Sequence, residues 1–241
     1  DIPGYEPQET PPGQVAVSAD GRVWVEPTSA SLQDRFLVWD GAWAIYEAGT
    51  LPGALPGHDR RFMATADGAI WVSTAGWLHR VDIPDHLSLD LAGTGLGAVR
   101  SLASAPGGVL WALDERPGPG GILFTGLAHY DGAAWSLLED RVIFDDGRLG
   151  DFVALAVDGG GQVWALANVT YTTRNGTGFT THLVSRNPDG TWTELAGVTL
   201  GSTALHADAD GRIWGAGLVT TGPDGPLFVP AADSGGPIAS D

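Results

Sequence analysis

The sequence predicts an all-β fold of five four-stranded antiparallel sheets, and three observations predict it. One short pattern returns five times, as Asp20-Gly21-Arg22-Val23-Trp24, Asp67-Gly68-Ala69-Ile70-Trp71, Gly107-Gly108-Val109-Leu110-Trp111, Gly160-Gly161-Gln162-Val163-Trp164 and Asp210-Gly211-Arg212-Ile213-Trp214. The tryptophans stand 47, 40, 53 and 50 residues apart, a spacing that fits one sheet-sized unit per copy. Short apolar runs bounded by Gly and Asp-Gly turns flank each copy. No stretch sustains a 3.6-residue apolar period, so helix is not expected.

Taken in order, residues 1–14 carry four prolines and form a lead-in that can pair at a sheet edge. The first repeat, 15–47, holds strand candidates at 15–18, 23–26, 36–39 and 43–46, the last two joined by an Asp40-Gly41 hairpin turn. The second, 61–91, runs 62–65, 70–73, 77–81 and 87–91. The third, 99–139, runs 99–103, 109–113, 127–130 and 135–138, with Asp131-Gly132 turning. The fourth, 152–196, runs 153–157, 163–167, 182–186 and 192–195, turning at Pro188-Asp189-Gly190. The fifth, 203–230, is compact, and residues 231–241 read as a loose tail.

Aligned on the glycine, Val15, Phe62, Leu102, Leu155 and Leu205 fall six residues before it. Ala16, Met63, Ala103, Ala156 and His206 fall five before it. One strand therefore carries bulky residues on one face and mostly small ones on the other. Four-stranded meanders repeated about an axis make a five-bladed β-propeller of four-stranded antiparallel blades, a single domain over 15–230. Trp24, Trp71, Trp111, Trp164 and Trp214 would each plug one gap between blades, and truncating one would cost about 3–5 kcal/mol.

Gly126-Leu127-Ala128-His129-Tyr130-Asp131-Gly132 followed by Trp135, echoed by Gly217-Leu218 and Gly76-Trp77-Leu78, resembles the two-component-regulator-type (sensor-like) propeller repeat. That resemblance spans about residues 15–230. It implies the fold, and it implies extracellular or periplasmic sensing and ligand binding. Five blades in a chain of this size also resemble the tachylectin-type lectins.

Composition narrows the partners. With 29 acids against 12 bases the formal charge is −17, and every base is Arg. Nucleic-acid phosphate and anionic lipid would be repelled. No Cys is present, so disulfides, thiolate metal sites and Cys nucleophiles are excluded. No apolar run approaches a membrane span, so insertion is not expected. A Lys-free chain that starts at Asp1 fits a processed bacterial protein, placed outside the cell, on its surface or in the periplasm.

Alternation of connections puts tight turns at one end of each blade and long connections (27–35, 48–61, 114–122, 140–151, 168–181) at the other. Variable loops on a rigid scaffold are where binding lives. Candidate partner-binding residues there are Asp59, Arg60, Arg61, Arg116, Asp145, Arg148, Tyr171 and Arg174. Arg60-Arg61 could grip a carboxylate or sulfate, or be an ordinary solvated pair. Asp208-Ala209-Asp210-Gly211 resembles a calcium loop but lacks the later Glu, and the six His share no register, so no metal or other cofactor is expected. His206, where other repeats have Ala or Met, and His58 are weak catalytic candidates. Asn168 and Asn175 head sequons that matter only in a glycosylating host.

These features favour a secreted or periplasmic non-enzymatic binding or scaffold protein. It would act through its long-loop face on a protein, a glycan or its own copies. The alternatives are a propeller-fold lyase or hydrolase with its site at the channel mouth, and a five-bladed lectin.

Overall fold

The computed structural model describes residues 12–27, 35–47, 51–52, 61–74, 76–83, 86–117, 123–174, 176–199, 205–207, 212–215, 218–222 and 225–229. The chain divides into two compact units, residues 1–140 and 141–241. Every regular element among the described residues is a strand.

The first unit holds three meanders. Blade one is β1 (Pro12–Val17), β2 (Val23–Pro27), β3 (Arg35–Trp39) and β4 (Trp43–Glu47). Blade two is β5 (Arg61–Ala64), β6 (Ile70–Thr74), β7 (Trp77–Arg80) and β8 (Leu87–Asp90). Blade three is β9 (Ala98–Ala105), β10 (Val109–Pro117), β11 (Leu123–Tyr130) and β12 (Trp135–Glu139). In the second unit β13 (Val142–Ile143), β14 (Leu149–Val157), β15 (Val163–Thr173), β16 (Gly176–Arg186) and β17 (Trp192–Thr199) form a five-stranded sheet. Two short pairs follow, β18 (His206–Ala207) with β19 (Ile213–Trp214) and β20 (Leu218–Gly222) with β21 (Gly225–Val229).

The recurring glycine has a local cause. It closes the first turn of a blade with positive φ, at 86° for Gly21, 75° for Gly68 and 83° for Gly161, where a Cβ would be strained. The acid beside it caps the turn. Thr65 Oγ1 donates to Asp67 Oδ1 at 2.5 Å, and Ser18 Oγ donates to Asp20 Oδ1 at 2.5 Å. Gly68 has a second constraint, since an added Cβ would lie 2.5 Å from the backbone N of Ala19. There the turns of blades one and two touch, and Ala19 N donates to Gly68 O at 3.0 Å.

The tryptophans fill gaps in part. Trp24, 1% exposed, packs with Phe36 and Val38 of its own blade and with Phe62, Ile70 and Val72 of blade two. Trp71 packs with Val99, Leu102 and Leu110 of blade three. Trp164 is buried, and its Nε1 donates to Asp158 Oδ2 at 3.0 Å. Trp111 is half-buried, and Trp214 is 39% exposed on β19. The expectation of five equivalent plugs is corrected for those two. Val15 is likewise exposed, because Ala16 is the β1 residue that turns toward the Trp24 cluster.

Two expected loops are strands. Residues 168–181 continue β15 and β16 into a long hairpin, registered from Asn168↔Thr181 to Thr173↔Gly176. The run Val169-Thr170-Tyr171-Thr172-Thr173 is β-branched and aromatic, which suits a paired strand. Residues 142–143 pair with β14 inside the expected 140–151 connection. Six sheets are present among the described residues, against the five expected.

Candidate active site

The sequence-predicted residues fall into separate groups. His58, Asp59 and Arg60 lie outside the described residues. At the long-connection end of blades two and three, Arg61 reaches Glu115 Oε2 at 3.7 Å and Arg100 Nε reaches the same oxygen at 3.2 Å. Arg116 pairs with Asp140. Between them Asp114 is fully buried. Gly97 N donates to its Oδ1 at 2.6 Å, while Oδ2 has no partner among the described residues. Burial pushes Asp114 above the usual carboxylate range, against the Gly97 N–H and Arg116.

In the second unit Asp145 is exposed in the turn after β13. Arg148 Nε bonds Asp146 Oδ2 at 2.5 Å, its Nη2 bonds Glu194 Oε2 at 2.9 Å, and its guanidinium lies 4.8 Å from the Phe144 ring centroid. Tyr171 is exposed on β15 over Gly178, and Arg174 is exposed at the hairpin tip. His206 is exposed on β18 opposite Trp214. Among the described residues no three His, Cys, Asp or Glu group as metal ligands do.

A concave site lies at the opposite, short-turn end of blades one and two. The β1–β2 and β3–β4 turns of blade one face the β7–β8 connection, and a cavity of about 370 Å³ opens between them. Blade two departs here from the Asp-Gly turn, replacing it with six residues, 81–86. The segment is anchored by Val81 N to Ile70 O at 2.9 Å and by Ile70 N to Asp82 Oδ1 at 3.1 Å. Arg80 grips Asp82 with two bonds, 3.0 and 3.1 Å. From blade one Arg22 Nη2 donates to Asp82 O at 2.6 Å while its Nε bonds Asp20 Oδ2 at 2.6 Å. The Arg22 guanidinium, with the Ser18 hydroxyl, holds Asp20 well below the usual carboxylate range.

Two groups in this cavity can move protons. His86 is exposed, with φ of 28°, an uncommon conformation for a residue with a Cβ. The Tyr46 hydroxyl sits 3.3 Å from both Nδ1 and Nε2 of its ring. Tyr46 packs edge-on against Trp24 at 5.6 Å, and burial pushes its phenol up, so it stays a neutral O–H donor at neutral pH. Asp20, Asp40 and Asp82 face Arg22 and Arg80, leaving the surroundings slightly acidic. The signal in the sequence was the one third-to-fourth connection, Val81-Asp82-Ile83-Pro84-Asp85-His86, that breaks the tight-turn rule.

No family model matches the chain, and no curated protein matches it in sequence. Solved structures do match. A protein provisionally named a gluconolactonase is 18% identical with a TM-score of 0.52, over 93% of this chain and 79% of that one. Virginiamycin B lyase from Staphylococcus aureus is 15% identical with a TM-score of 0.47, over 93% and 85%. The extracellular domain of a hybrid two-component system from B. thetaiotaomicron is 12% identical with a TM-score of 0.40, over 95% and 39%.

The expected non-enzymatic binding or scaffold protein is corrected by this comparison, because the neighbour at TM-score 0.52 carries an enzyme name. Among the described residues no helix is long and apolar enough to cross a membrane. The fold is of the β-propeller type.

Proposed function

We propose that this chain is a propeller-fold hydrolase or lyase whose site is the cavity between blades one and two. The observation that carries the reading is the Tyr46–His86 pair, a phenol and an imidazole 3.3 Å apart at a position of uncommon backbone geometry. His86 takes a proton from an attacking water or from a carbon acid. Tyr46 O–H donates to the oxygen on which charge develops. The acidic surroundings disfavour an anionic ligand, and the Trp24–Tyr46 wall favours the face of a ring. A small, neutral, hydroxyl-bearing substrate with a reactive carbonyl fits both. A sugar lactone has this chemistry, in keeping with the name of the neighbour at TM-score 0.52. We also read β18–β19 and β20–β21 as one interrupted blade, since β19 and β20 run side by side, which gives five.

The test is turnover of a panel of sugar lactones and neutral esters by the purified chain, followed by proton release. His86→Ala should lower kcat about 100-fold or more, and Tyr46→Phe about tenfold, within the range for positioned acid–base groups. Turnover of nothing in the panel would overturn the reaction class. Turnover unchanged in both variants would overturn the site.

A further inference from the structure

Across blade two one register row runs Phe62↔Val72↔His79↔Ser88, from the inner strand to the outer edge. Its inner half, Phe62 and Val72, packs in the cluster with Trp24. Its outer half is polar. His79 is fully buried, its ring stacked on Trp77 at 6.0 Å and 10°. Pro52 O lies 2.9 Å from His79 Nε2, and Ser88 Oγ lies 2.9 Å from Nδ1. A carbonyl only accepts, so Nε2 carries the hydrogen and Nε2–H donates to Pro52. The Thr74 hydroxyl donates to the same carbonyl at 3.0 Å.

From this arrangement we propose that Ser88 is an activated nucleophile, with His79 its general base and the Pro52 carbonyl the group that fixes the tautomer. Nδ1 of the neutral ring is a bare acceptor aimed at an exposed hydroxyl, the relation a serine needs before it attacks. Burial holds His79 below the usual imidazole range, with the exposed His86 adding to the effect, so the ring is unprotonated at neutral pH. The substrate class is an activated acyl carbonyl. Ser88 Oγ bonds the carbonyl carbon as its proton passes to Nδ1, and the departing alkoxide leaves with that proton. Water then attacks the acyl-serine through the same base, releasing the acid and restoring the Ser88 hydroxyl. None of these steps uses the Tyr46–His86 pair, so the proposal stands apart from the cavity.

A fluorophosphonate probe tests it, forming a phosphorus–oxygen bond at the serine and expelling fluoride. Ser136 is the internal reference, exposed on β12 and opposite His129 in the same cross-strand relation, with the His129 ring lying 4.6 Å from Trp111. Peptide mass spectrometry should find the label on Ser88 at about 100 times the rate on Ser136, the lower end of general-base assistance. Ser88→Ala, an exposed change, should abolish that label, and Ser136→Ala should leave it intact. His79→Gln should slow Ser88 labelling at least tenfold in protein whose circular dichroism is unchanged. Equal labelling of the two serines, or labelling elsewhere only, would overturn the proposal. So would a folded His79→Gln protein labelled at the parent rate. Should His79→Gln not fold, the Ser88-to-Ser136 ratio decides alone.

Discussion

His79 and His182 sit on the third long strand of their sheets, yet they are built into opposite electrostatic settings. His79 touches only neutral groups, Ser88, Thr74 and the Pro52 carbonyl, and is fully buried. His182 Nδ1 meets Glu194 Oε1 at 2.7 Å, its Nε2 meets Thr180 Oγ1 at 2.7 Å, and Glu194 is shared with Arg148. Strand position delivers a histidine to a blade face, but the cross-strand neighbour sets its chemistry. A hydroxyl makes the imidazole a candidate base. A carboxylate makes it one link in an ion network.

The sharpest way to break this contrast is to remove each ring in turn. His79→Leu keeps the volume but takes away the partner of Pro52 and Thr74 inside the blade. It should cost about 2 kcal/mol, roughly 1 kcal/mol for each of the two ring hydrogen bonds lost, since Thr74 still donates to the Pro52 carbonyl and Ser88 reaches water. His182→Leu should cost about 1 kcal/mol, because Glu194 and Arg148 still reach water and each other. Urea unfolding measures both. Equal costs would mean that burial does not set the two histidines apart.

Acid tests the buried ring of His79 next. His79 is held below its ordinary value of 6.5, so below that pH the unfolded chain binds the proton more readily than the folded one. The stability due to the neutral ring is therefore fully present above about pH 6.5. It falls as the pH drops, by at most about 1.4 kcal/mol per unit, until the folded-state value is reached. Unfolding curves between pH 5 and 8 should show this slope in the parent and a shallower one in His79→Leu. Identical slopes would remove His79 as its source.

Much of this was legible in the sequence. The Asp-Gly turns and the alternating runs marked β2–β9 and β12 to within a residue or two, because glycine at positive φ and alternating burial are local requirements. Residues 114–117, expected in a connection, instead continue β10, and β11 begins four residues early at Leu123. The 168–181 hairpin was not marked, although the β-branched and aromatic run 169–173 carried the signal. By length alone the segment reads as a connection, and Asn168 and Asn175 read as sequon heads. Of the expected binding residues, Arg61 and Arg116 found carboxylates at the long-connection end of the first unit, as ordinary ion pairs. Tyr46, His86, His79 and Ser88 were not singled out as a site. Their proximity depends on how blade two packs on blade one and on the register of β7 with β8, and neither is a local pattern.

The smallest expected effect tests the ionic half of the contrast. Glu194→Gln keeps an oxygen to accept from His182 but removes the charge that draws Arg148. Both partners are partly solvated, with side chains 39% and 30% exposed, so the pair is screened and should contribute under about 1 kcal/mol. Screening also dictates its salt response. At 1 M salt the Debye length is about 3 Å, and the gap between parent and variant should close. The His79→Leu penalty should not move with salt, since it comes from lost hydrogen bonds between neutral groups. A Glu194→Gln penalty that persisted in salt would show that His182 depends on the shape of its carboxylate more than on its charge, and the two histidines would then differ in partner but not in kind.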